Sequence, residues 1–198
     1  MAVMTTRPRP RQSTTPPLRN SLRAVVLIGF MACGKTSVGL ALSQRLDWTF
    51  HDLDHRIEAH EGRTIAEIFR DSGEPAFRQA ERAALFTLLK ELSSSPPAVI
   101  ALGGGAFMQP DVRRVLAEAK LPVVWLDAPP EALWERCSQQ PLQRPLALNL
   151  NQFRQLYEER RRHYTEAALH VDTSGKEVQT IADEVIQRLD LIGHSKEK

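Results

Sequence analysis

The chain has 198 residues, 42% of them hydrophobic and 25% charged, with a formal net charge of +2 at pH 7. That is the make-up of an ordinary soluble globule with one well-buried core, too short for two comfortable domains. Near-neutral charge without a long basic run argues against a nucleic-acid binder, and no apolar stretch is long enough to span a membrane.

The first two dozen residues stand apart. They carry Arg7, Arg9, Arg11, Arg19 and Arg23 among Pro8, Pro10, Pro16 and Pro17, and the first acid in the chain is Asp47. Such a segment buries too little apolar surface to offset its ordering entropy, so residues 1–21 are expected to be a disordered Arg/Pro-rich tail. Organelle transit peptides share the Arg-rich, acid-poor composition, but the prolines and the lack of clear amphipathicity favour a solvated tail.

From residue 22 onward, short apolar runs alternate with helical periodicity, the mark of an α/β fold with a parallel sheet between layers of helices. The first expected strand, 24–29, runs into Gly29-Phe30-Met31-Ala32-Cys33-Gly34-Lys35-Thr36-Ser37. A strand, a Gly-x-x-x-x-Gly-Lys-Thr loop and then a helix form a phosphate-binding P-loop, whose backbone N–H groups converge on one anion. Lys35 is expected to reach the outer phosphates and Thr36 to complete a magnesium shell, so the loop calls for a nucleoside triphosphate. Ala32 stands where related loops often have glycine, and a positive φ there costs about 1–2 kcal/mol. Cys33, at a helix N-terminus beside Lys35, is either a reactive thiol that bound nucleotide protects or a small apolar filler.

The following helix shows Val38, Leu40, Ala41, Leu42 and Leu46 as its apolar set. A strand over 49–52 then leads to Asp52-Leu53-Asp54. Carboxylates at i and i+2 on an extended segment share a side, and they sit at the carboxyl end of a strand, where open α/β sheets bind ligands. One carboxylate can order magnesium waters and the other accept a proton from a substrate hydroxyl; an acidic turn that caps a helix is the competing reading. Thr64 with Glu67 forms a capping box opening a short helix 65–71 that Gly73 closes.

A helix over 75–92 carries the stripe Leu92, Leu89, Leu88, Leu85 and Ala84, which continues backward onto Glu81, Arg78 and Phe77. Arg78 and Glu81 therefore face inward, as a structural bridge or on a polar cavity. A strand over 98–102 ends in Gly103-Gly104-Gly105, which lets a ligand approach the backbone closely. Helices over 111–119 and 130–137 bracket a strand over 122–126, and residues 138–150, with two prolines and no acid, read as a mobile connection. On the helix 151–168 the inward stripe of Phe153, Leu156, Tyr157 and Tyr164 includes Arg160. Two inward arginines on different helices suit a small carboxylate, which guanidinium binds bidentately. A strand over 169–172 and a helix over 177–192 complete the chain. Cys33 and Cys137 form no disulfide framework, six scattered histidines show no metal spacing, and a reducing cytoplasmic setting fits.

Taken in order, the P-loop, the Asp52/Asp54 pair, Phe69-x-x-x-Gly73-Glu74-x-x-Phe77-Arg78-x-x-Glu81, the triple glycine, Arg144-Pro145-Leu146 and Arg160 before Tyr164 resemble a shikimate kinase over roughly residues 22–192. The resemblance implies a three-layer P-loop fold of the nucleoside-monophosphate-kinase type, with a five-stranded parallel sheet in the order 2-3-1-4-5 and a mobile lid at about 138–150. It implies ATP and Mg2+ as co-reactants and phosphorylation of the 3-hydroxyl of shikimate, a step in aromatic amino-acid biosynthesis, by a monomer. By resemblance, Asp54 is the base, Asp52 and Thr36 serve the metal, and Lys35 and Arg144 neutralise the phosphoryl group. Arg78, Arg160 and Gly103, Gly104 and Gly105 bind shikimate, with Glu81 orienting Arg78. Arg136 and Lys176 match positions around adenine, although Lys176 replaces a common arginine. Gluconate kinase, a nucleoside-monophosphate kinase and a non-catalytic P-loop regulator are the rival readings; intact Lys35, Asp54 and Arg144 speak against the last.

Overall fold

The computed structural model describes residues 22–139 and 149–192. The expected tail and Arg144, with most of the expected lid, lie outside the described residues.

Five parallel strands form one sheet in the order β2-β3-β1-β4-β5, as the resemblance implied. They are β1 Ala24–Ile28, β2 Thr49–Asp52, β3 Ala98–Ala101, β4 Val123–Asp127 and β5 Leu169–Asp172. Every residue of β1 and β3 is buried, because a central parallel strand is covered on both faces. β5, at an edge, alternates buried Leu169 and Val171 with exposed His170 and Asp172.

The helices are α1 Lys35–Leu46, α2 Leu53–Glu61, α3 Ile65–Glu91, α4 Pro110–Glu118, α5 Pro130–Ser138, α6 Leu150–Tyr164 and α7 Val178–Arg188. α1 buries Val38, Ala41 and Leu42, whereas Leu40 of its apolar set is 45% exposed. The expected helices 65–71 and 75–92 abut as α3, with Gly73 (φ 76°, ψ 172°) as the kink and Pro75 restarting the second half, where a missing N–H costs least. The capping box of Thr64 and Glu67 is formed.

α2 is absent from the expected helices, and it corrects the geometry of the acidic pair toward the competing reading, a helix cap. Asp52 ends β2 and caps α2, its Oδ1 accepting from the Asp54 N–H at 3.1 Å. Asp54 thus sits in the first helical turn and not on an extended strand. Leu53 and Ile57 anchor α2 in the core, and Gly62 closes it in a left-handed conformation.

Candidate active site

The parallel register sets the site. Leu27 pairs with Ala101 between β1 and β3, and Asp52 pairs with Ala101 between β2 and β3. The P-loop, the acidic pair and the triple glycine therefore leave the sheet side by side at its carboxyl end.

Gly29 is at φ 146°, and a Cβ there would lie 2.3 Å from the Leu126 carbonyl oxygen, so the loop needs glycine to lie against β4. Ala32 does adopt a left-handed φ of 60°. Gly34 caps α1, and Ser37 is exposed in its first turn. Lys35 Nζ donates to the carbonyls of Gly29 at 2.9 Å and Phe30 at 3.1 Å, which holds the ammonium over the loop. Cys33 is 1% exposed, with its thiol among core residues and 3.8 Å from Lys35 Nζ.

Thr36 Oγ1 donates to Asp52 Oδ2 at 2.9 Å. One hydroxyl and one carboxylate fit magnesium, which takes few protein ligands and completes its shell with phosphate oxygens and waters. Among the described residues, no cluster of three or more His, Cys, Asp or Glu offers an all-protein metal cage.

The acceptor side is built around Gly103–Gly105. A Cβ on Gly103 would lie 2.7 Å from both Asp54 Oδ1 and Glu81 Oε1. One on Gly104 would lie 3.2 Å from Arg160 Nη1, and one on Gly105 2.5 Å from Arg78 Nη2. Both guanidiniums and the Asp54 carboxylate thus converge on a backbone with no side chains of its own.

Glu81 is fully buried and accepts from Arg78 Nη1 at 2.8 Å, while Glu74 holds Arg78 Nη2 from the outer side at 2.9 Å. Burial pushes the Glu81 carboxyl up to about 6, and Asp54 adds to this while Arg78 and Arg160 oppose it. Burial works against the Arg78 charge, yet Glu81 and Glu74 outweigh it and the net shift is upward. Arg160 is 6% exposed, and burial, with repulsion from Arg78, lowers its pKa. Tyr164, four residues on, donates its hydroxyl to the Gly104 carbonyl and so ties α6 to the glycine loop.

A phosphate loop thus lies beside an acidic pair, the half-buried Arg78 and the buried Arg160. A shikimate kinase family model matches residues 31–190. The shikimate kinase of Thermus thermophilus is 39% identical over 168 residues, covering 83% of this chain and 89% of that one. That of Caulobacter vibrioides is 42% identical over 160 residues, covering 79% and 76%. The chain belongs to the shikimate kinase family. Among solved structures, the shikimate kinase from Acinetobacter baumannii in complex with shikimate is 32% identical, with a TM-score of 0.78 over 88% of this chain and 97% of that one.

In this kinase the two residues expected near adenine flank the turn after β5. Arg136 Nη2 lies 3.5 Å from the Thr173 carbonyl, and Lys176 Nζ pairs with Glu184 on α7 at 2.8 Å. Lys176 is therefore directed at α7. Sequence reasoning missed Gln109, whose Nε2 donates to Glu81 Oε2 at 2.8 Å, and Asp127, which accepts from the Tyr157 hydroxyl at 2.9 Å. A signal for the first was present: Gln109 precedes Pro110 at a helix start, where glutamine is a poor cap and so has work elsewhere.

Proposed function

We propose that this shikimate kinase transfers the terminal phosphoryl group of ATP to the 3-hydroxyl of shikimate with Asp54 as the base. Arg78 and Arg160 grip the substrate carboxylate as a pair, and the open backbone of Gly103–Gly105 lets the ring lie close to the P-loop. Asp54 holds the acceptor hydroxyl and takes its proton as the new bond to phosphorus forms. Lys35 leaves its loop carbonyls to neutralise the transferring charge, with Arg144 sharing that task. Thr36 and Asp52 would hold magnesium, which when bound offsets phosphate charge. Gly29, Ala32, Cys33, Gly34 and Ser37 line the phosphate cradle, Arg136 borders the base, and Lys176 joins it on release from Glu184.

The observation that carries this reading is the convergence of Arg78, Arg160 and Asp54 on the triple glycine beside the P-loop. We further propose that the kinase works in the cytoplasm as a monomer; among the described residues no helix is long and apolar enough to cross a membrane. ADP release measured with shikimate, gluconate and nucleoside monophosphates tests the reading. Shikimate should support turnover far above the others, and preference for either rival would reassign the acceptor.

A further inference from the structure

Glu81 Oε2 accepts two hydrogen bonds at 2.8 Å, from Arg78 Nη1 and from Gln109 Nε2. The second comes from another element: Gln109 stands at the head of α4, after the triple glycine and the 3-10 turn Ala106–Met108. It is the N-cap residue of α4 but makes no capping hydrogen bond with its side chain. Its Oε1 is buried without a hydrogen-bond partner among the described residues. A side chain that forgoes a cap and leaves a carbonyl unmatched must be placed for its amide N–H, and that N–H goes to Glu81.

We propose that Gln109 is a positioning residue for substrate binding: its amide keeps Glu81 an ionised acceptor and so keeps Arg78 on the inner, substrate-facing carboxylate. This rests on the assignment of Arg78 to the shikimate carboxylate. The groups facing Glu81 are Arg78 on its own helix, Asp54 from α2, Arg160 and the neutral Tyr164 from α6, and Gln109 from α4. Burial and Asp54 favour the neutral acid, the two arginines favour the carboxylate, and Gln109 is a neutral donor that also favours it. Arg78 has an alternative partner in exposed Glu74, which holds its Nε at 3.2 Å and its Nη2 at 2.9 Å. When Glu81 takes up a proton, its hold on Nη1 weakens and the guanidinium is drawn outward toward Glu74.

The sign follows. Shikimate affinity of the wild type falls as pH drops through about 6, where Glu81 protonates. Removing the Gln109 donor raises that pKa, so the fall begins at higher pH.

The test is KM and kcat for shikimate by ADP release, from about pH 5.5 to about pH 8.5 at saturating ATP and magnesium. It compares the full-length wild type, Gln109→Met and Gln109→Ala. In both variants the acid limb of kcat/KM should move up by about half to one pH unit, a roughly two- to fivefold higher KM near pH 6. KM should return to the wild-type value at the alkaline end, and kcat should not follow the shift. An unchanged acid limb, or a KM raised by one factor at every pH, overturns the proposal. If the Met variant does not fold, the Ala variant, which relieves crowding, carries the same test. Absence of shikimate turnover in the wild type would instead overturn the kinase assignment, and needs no variant to be seen.

Discussion

Gly105→Ala tests the acceptor side without touching a charged residue. The added Cβ would lie 2.5 Å from Arg78 Nη2, 2.6 Å from Nη1 and 2.8 Å from Cζ. Ordinary contact is about 3.5 Å or more, so the guanidinium must retreat by roughly 1 Å. That retreat breaks the 2.8 Å bond to Glu81 and leaves Arg78 to Glu74. Loss of one charge-assisted contact is worth about 1.5–3 kcal/mol, so KM for shikimate should rise roughly ten- to hundredfold. The fold should tolerate the change, because Gly105 is at φ −109°, open to alanine, and the clash is with the end of a flexible side chain. ADP release at varied shikimate gives KM, and thermal melting checks the fold. A KM within twofold of wild type in a normally melting variant would refute the role given to Arg78.

The neighbouring glycines should separate the contributions. Gly103→Ala places a Cβ 2.7 Å from Asp54 Oδ1 and Glu81 Oε1, two short side chains with little room to yield, so kcat and melting temperature should both fall. Gly104→Ala meets Arg160 Nη1 at 3.2 Å, with Gly29 O and Met31 N at ordinary contact distance, and should raise KM a few-fold at most. Ala32→Gly relieves a left-handed alanine at φ 60° and should stabilise the chain by about 0.5–1 kcal/mol in denaturant unfolding, after the added unfolded-state entropy is offset. A destabilised variant would mean the loop holds Ala32 without strain. Arg160→Ala should chiefly weaken shikimate binding, whereas Arg144→Ala should chiefly lower kcat, as steady-state kinetics will tell; the reverse pattern would exchange their roles.

Much of the site was legible because charged residues stood at positions the helical period reserves for the core. Arg78, Glu81 and Arg160 interrupt apolar stripes, and each is directed inward at the site. The sheet order came from resemblance, since periodicity marks strands but not their neighbours. α2 escaped because only Leu53 and Ile57 of its nine residues are buried, too few for a visible stripe, although Asp52 and Gly62 were its cap and stop. That omission put Asp54 on a strand instead of on a helix turn. Tyr164 acts through a contact 60 residues away in sequence, which no local pattern records, and Gln109 through one 28 residues away, at which its poor fit as a cap only hints.

If Asp54 is the base of a shikimate-phosphorylating site, Asp54→Asn must stop the chemistry while leaving the nucleotide bound. The variant keeps the size and position of the side chain but loses its proton-accepting carboxylate. Nucleotide binding by calorimetry and shikimate 3-phosphate formation by phosphorus NMR should be measured on the same sample. ATP binding should equal that of wild type, with product formation lowered by about a hundredfold or more. Product formed at the wild-type rate would contradict that role for Asp54.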